Sequence, residues 1–100
     1  MVGMATPGPE KPPRPVTDRR LGSTTSADLA AAAAPVLLVP VGSCEQHGPH
    51  LPLDTYTRIA VAVADGAAAR LADVVVAPAV AYGASGEHQA FAGTLSIGTD

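Results

Sequence analysis

Two short and wholly apolar runs, Val36-Leu37-Leu38-Val39 and Val74-Val75-Val76, frame a helix-length stretch of this chain. Neither run alternates with polar residues, the pattern of strands covered on both faces of a parallel sheet. Between them, Thr57 to Ala72 fits a helix: Ile59, Val63 and Ala67 fall at i, i+4 and i+8 on one face, with Arg58 and Asp65 elsewhere. Strand, loop, helix, strand is one βαβ crossover, expected to be right-handed and to make a parallel pair. The predicted class is α/β.

The segment from Val41 to Asp54 leaves the first run at its carboxyl end. Two prolines and two glycines punctuate it, so it is neither a regular helix nor an interior strand. Glu45, His47, His50 and Asp54 place two carboxylates and two imidazoles within ten residues. Polar side chains on a stiffened loop at the carboxyl edge of a parallel sheet stand where α/β folds bind ligands. Glu45 and His47 are two apart, so an extended backbone turns them to one side, toward one ion or two neighbouring ions. Carboxylate with imidazole suits zinc, manganese or ferrous iron, and the missing thiolates argue against a structural cysteine site. The plainer alternative is a surface glutamate beside a histidine that caps the loop. His50 reads as a loop histidine bonding backbone or supporting a metal ligand, Asp54 as the N-cap of the following helix, and Cys44 as a small buried residue.

A second loop, Tyr82 to His88, follows Val74–Val76 and reaches the same sheet edge. Upstream, Ser26-Ala27-Asp28-Leu29 opens a short helix capped by Ser26 or Thr25 and stopped by Pro35. Residues 1–22 read as a disordered arm, because five prolines and four of the six basic residues lie there with few sizeable apolar side chains. Residues 23–100 read as the N-terminal part of a larger α/β domain, for the chain stops at Asp100 directly after a strand-like Thr94–Ile97. A transit peptide is disfavoured because the arm lacks serine.

A net charge of -3, with the basic residues gathered in the arm and no aromatics interleaved, argues against nucleic acid as a partner. No apolar stretch is long enough for a membrane span or shaped as a signal peptide, and a single cysteine fits a cytoplasmic setting.

Val39-Pro40-Val41-Gly42-Ser43-Cys44-Glu45-Gln46-His47-Gly48-Pro49-His50-Leu51-Pro52-Leu53 closely resembles the N-terminal signature of the creatininase (creatinine amidohydrolase) family. The stretch Tyr82 to Ile97 is similar to that family's second block, and its Gly-Glu-His and Phe-Ala-Gly-Thr wording is most similar to a peptidase member that removes a C-terminal dipeptide from a modified precursor peptide. The resemblance covers about Val36 to Thr99. It implies an α/β/α sandwich, a homo-oligomer, and two divalent metals per site (Zn, Mn or Fe) that activate water against amide C–N bonds of a peptide or small amide. It makes Glu45 a ligand of one metal and His47 a ligand of the other. The aspartate that bridges both metals in the family falls at position 56, which here is Tyr56. A carboxylate offers two anionic oxygens and a phenol one weak donor, so the bridge is expected to be lost. Asp54 could replace it only from an extended backbone. Ser85 is expected to contact substrate, and Glu87 and His88 to shape the pocket rim. The family's remaining ligands and catalytic groups lie in a later segment. Alternatives are hydrolysis of creatinine or another small cyclic or linear amide, and a non-catalytic remnant that depends on a partner.

Overall fold

The computed structural model describes residues 19–32 and 35–99. In chain order they form α1 (Ser26–Ala31), β1 (Val36–Leu38), α2 (Thr55–Arg70) and β2 (Val74–Val76), with short 3-10 turns at Leu21–Ser23 and Gly86–His88. β1 and β2 are parallel, Val36, Leu37 and Leu38 standing opposite Val74, Val75 and Val76. α2 connects them, as the apolar runs predict.

Thr25, of the two expected caps, closes α1: its hydroxyl accepts from the Asp28 N–H at 3.1 Å. Before β2 the chain turns at Asp73, whose φ of 57° lies in the left-handed region that aspartate enters more readily than most residues. The Asp73 carbonyl then accepts from Val36 N–H at 2.7 Å and sets the register. Backbone pairing continues beyond the strands. Ala77 donates to Leu38, Val80 to Pro40, and Gly42 to Val80, so the two exit loops leave side by side.

The buried core is small: Val74, Val75 and Val76 with Ala64 and Ala68 of α2. Three expectations are corrected here. β1 is not covered on both faces; Val36 and Leu37 are exposed, because α2 packs over β2 and β1 lies at the sheet edge. α2 begins at Thr55, and its buried face is Ala64 and Ala68 rather than Ile59, Val63 and Ala67. Alanine lets the helix approach the strand closely, and Ile59 and Val63 turn outward. Thr94–Ile97 is not a strand; Leu95 and Ser96 make single bridges to Cys44 and Gly83.

Most of the expected arm, residues 1–18, lies outside the described residues. Its last part does not behave as an arm. The Arg19 carbonyl accepts from Val76 N–H at 2.6 Å, and the Arg19 guanidinium donates to Leu71 and Val74 carbonyls at 2.8 and 3.2 Å. Arg20 bridges Val76 in parallel and pairs with Asp65 at 3.0 Å. Backbone pairing along β2 overrides the polar composition of those residues.

Candidate metal centre

The first loop folds on itself as a narrow ribbon. Glu45 N–H donates to the Leu53 carbonyl at 2.9 Å, and His47 bridges Leu51. Gly48, at φ 72°, makes the turn between them. Glu45 and His47 therefore lie on paired backbone, the condition under which residues two apart turn to one side. The ribbon is held against α2 at Gly42, where an added Cβ would overlap the Thr57 hydroxyl and backbone, and by the Thr57 hydroxyl donating to the Ser43 carbonyl at 3.1 Å.

The second loop is laced to the first. Leu95 N–H donates to the Cys44 carbonyl at 2.9 Å, Gln46 N–H to Thr94 Oγ1 at 3.1 Å, and Gln46 Nε2 contacts His88 Nδ1 at 3.1 Å. These bonds carry the Gly86–His88 turn over Glu45. The Glu45 side chain is 7% exposed, and its Oε1 lies 3.7 Å from His88 Nε2, which is 3.9 Å from Glu87 Oε1. Glu45, Glu87 and His88 each offer a donor atom within 4.8 Å of the others. Among the described residues the Glu45 carboxylate accepts no hydrogen bond, and His88 is the basic group beside it.

His47 is half-buried and turns Nδ1 to the Glu45 carbonyl at 3.0 Å. A carbonyl only accepts, so Nδ1 carries the proton and Nε2 presents a lone pair. That is the tautomer of a metal-ligating imidazole. Tyr56, half exposed, sets its ring edge-on to His47 with centroids 4.3 Å apart. Position 56 is thus beside His47, and the group it brings is an aromatic ring.

The other expected residues divide. Asp54 stands at the N-cap of α2 but makes no capping bond; its carboxylate pairs with Arg58 Nε at 2.8 Å, one helical turn on. The backbone at Asp54 (φ -96°, ψ 23°) is not extended, so the condition set for an alternative bridge is not met. His50 sits exposed at the ribbon tip and makes no hydrogen bond among the described residues. Ser85, expected to contact substrate, is fully buried, and its hydroxyl, like that of Ser43, has no partner among the described residues; Glu87 is exposed and His88 half-buried. Cys44 is half-buried and its thiol lies 3.6 Å from the Gly93 carbonyl. The residue that sequence reasoning missed is Gln46. Its place between Glu45 and His47 was the available signal, but its partner His88 is 42 residues away.

Residues 22–100 match the creatininase family model, described as creatinine amidohydrolase. The chain belongs to the creatininase family. It is 57% identical over 89 residues to the mycofactocin precursor peptide peptidase of Mycobacterium tuberculosis, covering 80% of this chain and 35% of that protein. Identity to the enzyme of the same name from Mycolicibacterium smegmatis is 61% over 84 residues, 79% of this chain and 34% of that protein. The chain thus spans about a third of the length of these relatives. Among solved structures, a creatininase variant complexed with creatine superimposes with a TM-score of 0.73 at 31% identity, over 82% of this chain and 34% of its own. A variant described as Zn-Zn type gives 0.72 at 31% identity, over 83% and 35%. The α/β class and the creatininase-like fold are therefore as the sequence predicts. No helix among the described residues is long and apolar enough to cross a membrane.

Proposed function

We propose that this chain carries the first two loops of a metal-dependent amidohydrolase centre that releases a C-terminal dipeptide from the mycofactocin precursor peptide. The observation that carries the reading is Glu45, a buried carboxylate without a hydrogen bond, on the same ribbon as an imidazole whose Nε2 lone pair is presented. Carboxylate and imidazole are the oxygen and nitrogen ligand types of a divalent ion, and by the family resemblance Glu45 holds one ion and His47 the other. Bound there, divalent ions supply an activated water and a polarised carbonyl. Glu45 brings the negative charge and His47 a neutral donor, while the paired loops fix both on the sheet edge.

The substrate follows from resemblance: the relatives named as precursor peptidases are 57% and 61% identical, the creatininase structures 31%. Creatinine, or another small cyclic or linear amide, is the competing substrate. The reading carries with it a homo-oligomer, a cytoplasmic setting, and no nucleic-acid or membrane partner.

Tyr56 favours a second reading, a non-catalytic or partner-dependent chain. A phenol edge-on to His47 cannot hold two ions together as a carboxylate does. One experiment addresses both readings. Residues 22–99 replace the matching segment of the Mycolicibacterium smegmatis peptidase, with Tyr56 retained or changed Tyr56→Asp, and dipeptide release and creatinine turnover are followed. The Tyr56→Asp hybrid is expected to release dipeptide, and the Tyr56 hybrid to lose at least about tenfold in rate, as for other losses around a metal site. Creatinine turnover without dipeptide release would reject the proposed substrate. An inactive Tyr56→Asp hybrid would reject the enzyme reading.

A further inference from the structure

Two histidines meet Glu45, and they meet it with opposite protons. His47 holds its proton on Nδ1, against the Glu45 carbonyl at 3.0 Å. For His88 the partner that fixes the proton is Gln46. The two ends of a glutamine amide are told apart by their partners. Gln46 Oε1 accepts from Gly48 N–H at 3.0 Å, which leaves Nε2, a donor only, facing His88 Nδ1 at 3.1 Å. His88 Nδ1 is therefore the acceptor and the proton sits on Nε2. That N–H faces Glu45 Oε1 at 3.7 Å and Glu87 Oε1 at 3.9 Å.

A metal ligand requires the reverse. Glu45, Glu87 and His88 have the spacing of a three-donor cation site, but ligation by His88 Nε2 needs a lone pair where the proton is. Freeing it would move a proton to Nδ1, so Gln46 would have to turn its amide over. Its NH2 would then oppose the Gly48 N–H. The bond that fixes Gln46 thus selects the role of His88.

We infer that His88 is a positioning residue for the Glu45 carboxylate, set in its donor tautomer by Gln46, and not a metal ligand. This rests on the proposed role of Glu45 as a ligand. Among the described residues His88 is the one basic group within 4.0 Å of that buried carboxylate. Closing the 3.7 Å contact to hydrogen-bond distance would hold one oxygen and leave the other for a cation. Carboxylate ligands are commonly oriented in this way by a donor behind them. With Tyr56 in the bridging position, fewer anionic groups share the task, and the aim of Glu45 counts for more.

The test is made on the full 100-residue chain. Two-bond 1H–15N correlation spectra, recorded on the alkaline side of neutrality without metal, report which ring nitrogen is protonated. The expected pattern is Nδ1–H for His47 and Nε2–H for His88; Nδ1–H at His88 overturns the inference. On adding Zn2+, the His47 Nε2 resonance is expected to shift and His88 to keep its Nε2 proton, whose loss would likewise overturn the inference. Variants separate the roles by zinc affinity. His88→Gln keeps an N–H donor without a ring lone pair and is expected to bind close to the parent, whereas His88→Ala is expected to bind about 10–100-fold more weakly. Equal losses in both variants would mark a ligand. If no form takes up zinc, the metal reading fails, while the metal-free tautomers still decide the Gln46–His88–Glu45 arrangement.

Discussion

Val36-Leu37-Leu38 and Val74-Val75-Val76 are apolar triplets in parallel register, yet every residue of the second is buried and the first is mostly exposed. Their composition does not separate them; their neighbours do. β2 has β1 along one edge, Arg19 and Arg20 along the other, and Ala64 and Ala68 of α2 packed against it. β1 has a strand partner on one edge alone among the described residues, and Val36 and Leu37 are 61% and 50% exposed. α2 repeats the contrast around its own axis, with alanines inside and Ile59 and Val63 outside at 54% and 68% exposure. Cohesion in this chain is therefore concentrated in one strand and one alanine stripe.

The strongest way to break that contrast is a charge in each strand. Val75→Asp would bury an unpaired carboxylate at a fully buried position and is expected to cost more than about 4 kcal/mol, abolishing cooperative urea unfolding. Leu37→Asp is expected to keep the transition with a modestly lower midpoint. Equal losses would mean that β1 is covered in solution. A smaller effect is expected on α2. Ala68→Leu should overpack the helix–strand contact at a cost of about 1–3 kcal/mol, whereas Val63→Leu should be near neutral by the same urea midpoints. The smallest effect sharpens the comparison: Val63→Lys is expected to change stability by no more than about 0.5 kcal/mol. A clear loss there would assign that face a packing partner.

Much of the scaffold was legible in the residues. The two apolar runs marked both strands, Thr25 stood among the expected caps, and the Pro/Gly-rich signature placed Glu45 and His47 on a loop leaving the carboxyl end of the first strand. The buried face of α2 was not legible. Its isoleucine–valine and alanine stripes are both apolar, and only close packing against β2 distinguishes them. The fate of Arg19 and Arg20 was hidden because composition reports solvation, whereas their backbone bonds to Val76 are long-range. The pairing of His88 with Gln46 was hidden for the same reason. Spacing could nominate each imidazole, but only the partner of its other nitrogen says whether it offers a lone pair or a proton.

The arginine strip has a consequence for how molecules of this protein meet one another. An uncovered strand edge is a template on which another chain can add, and charged residues are a common means of blocking it. Arg19 and Arg20 occupy the β2 edge with both backbone and charge, so a newcomer strand finds that side taken. Among the described residues the opposite side, along Val36–Leu38, has no such guard. Among the described residues, lateral growth of this two-stranded sheet is therefore directional, with β1 as its open side.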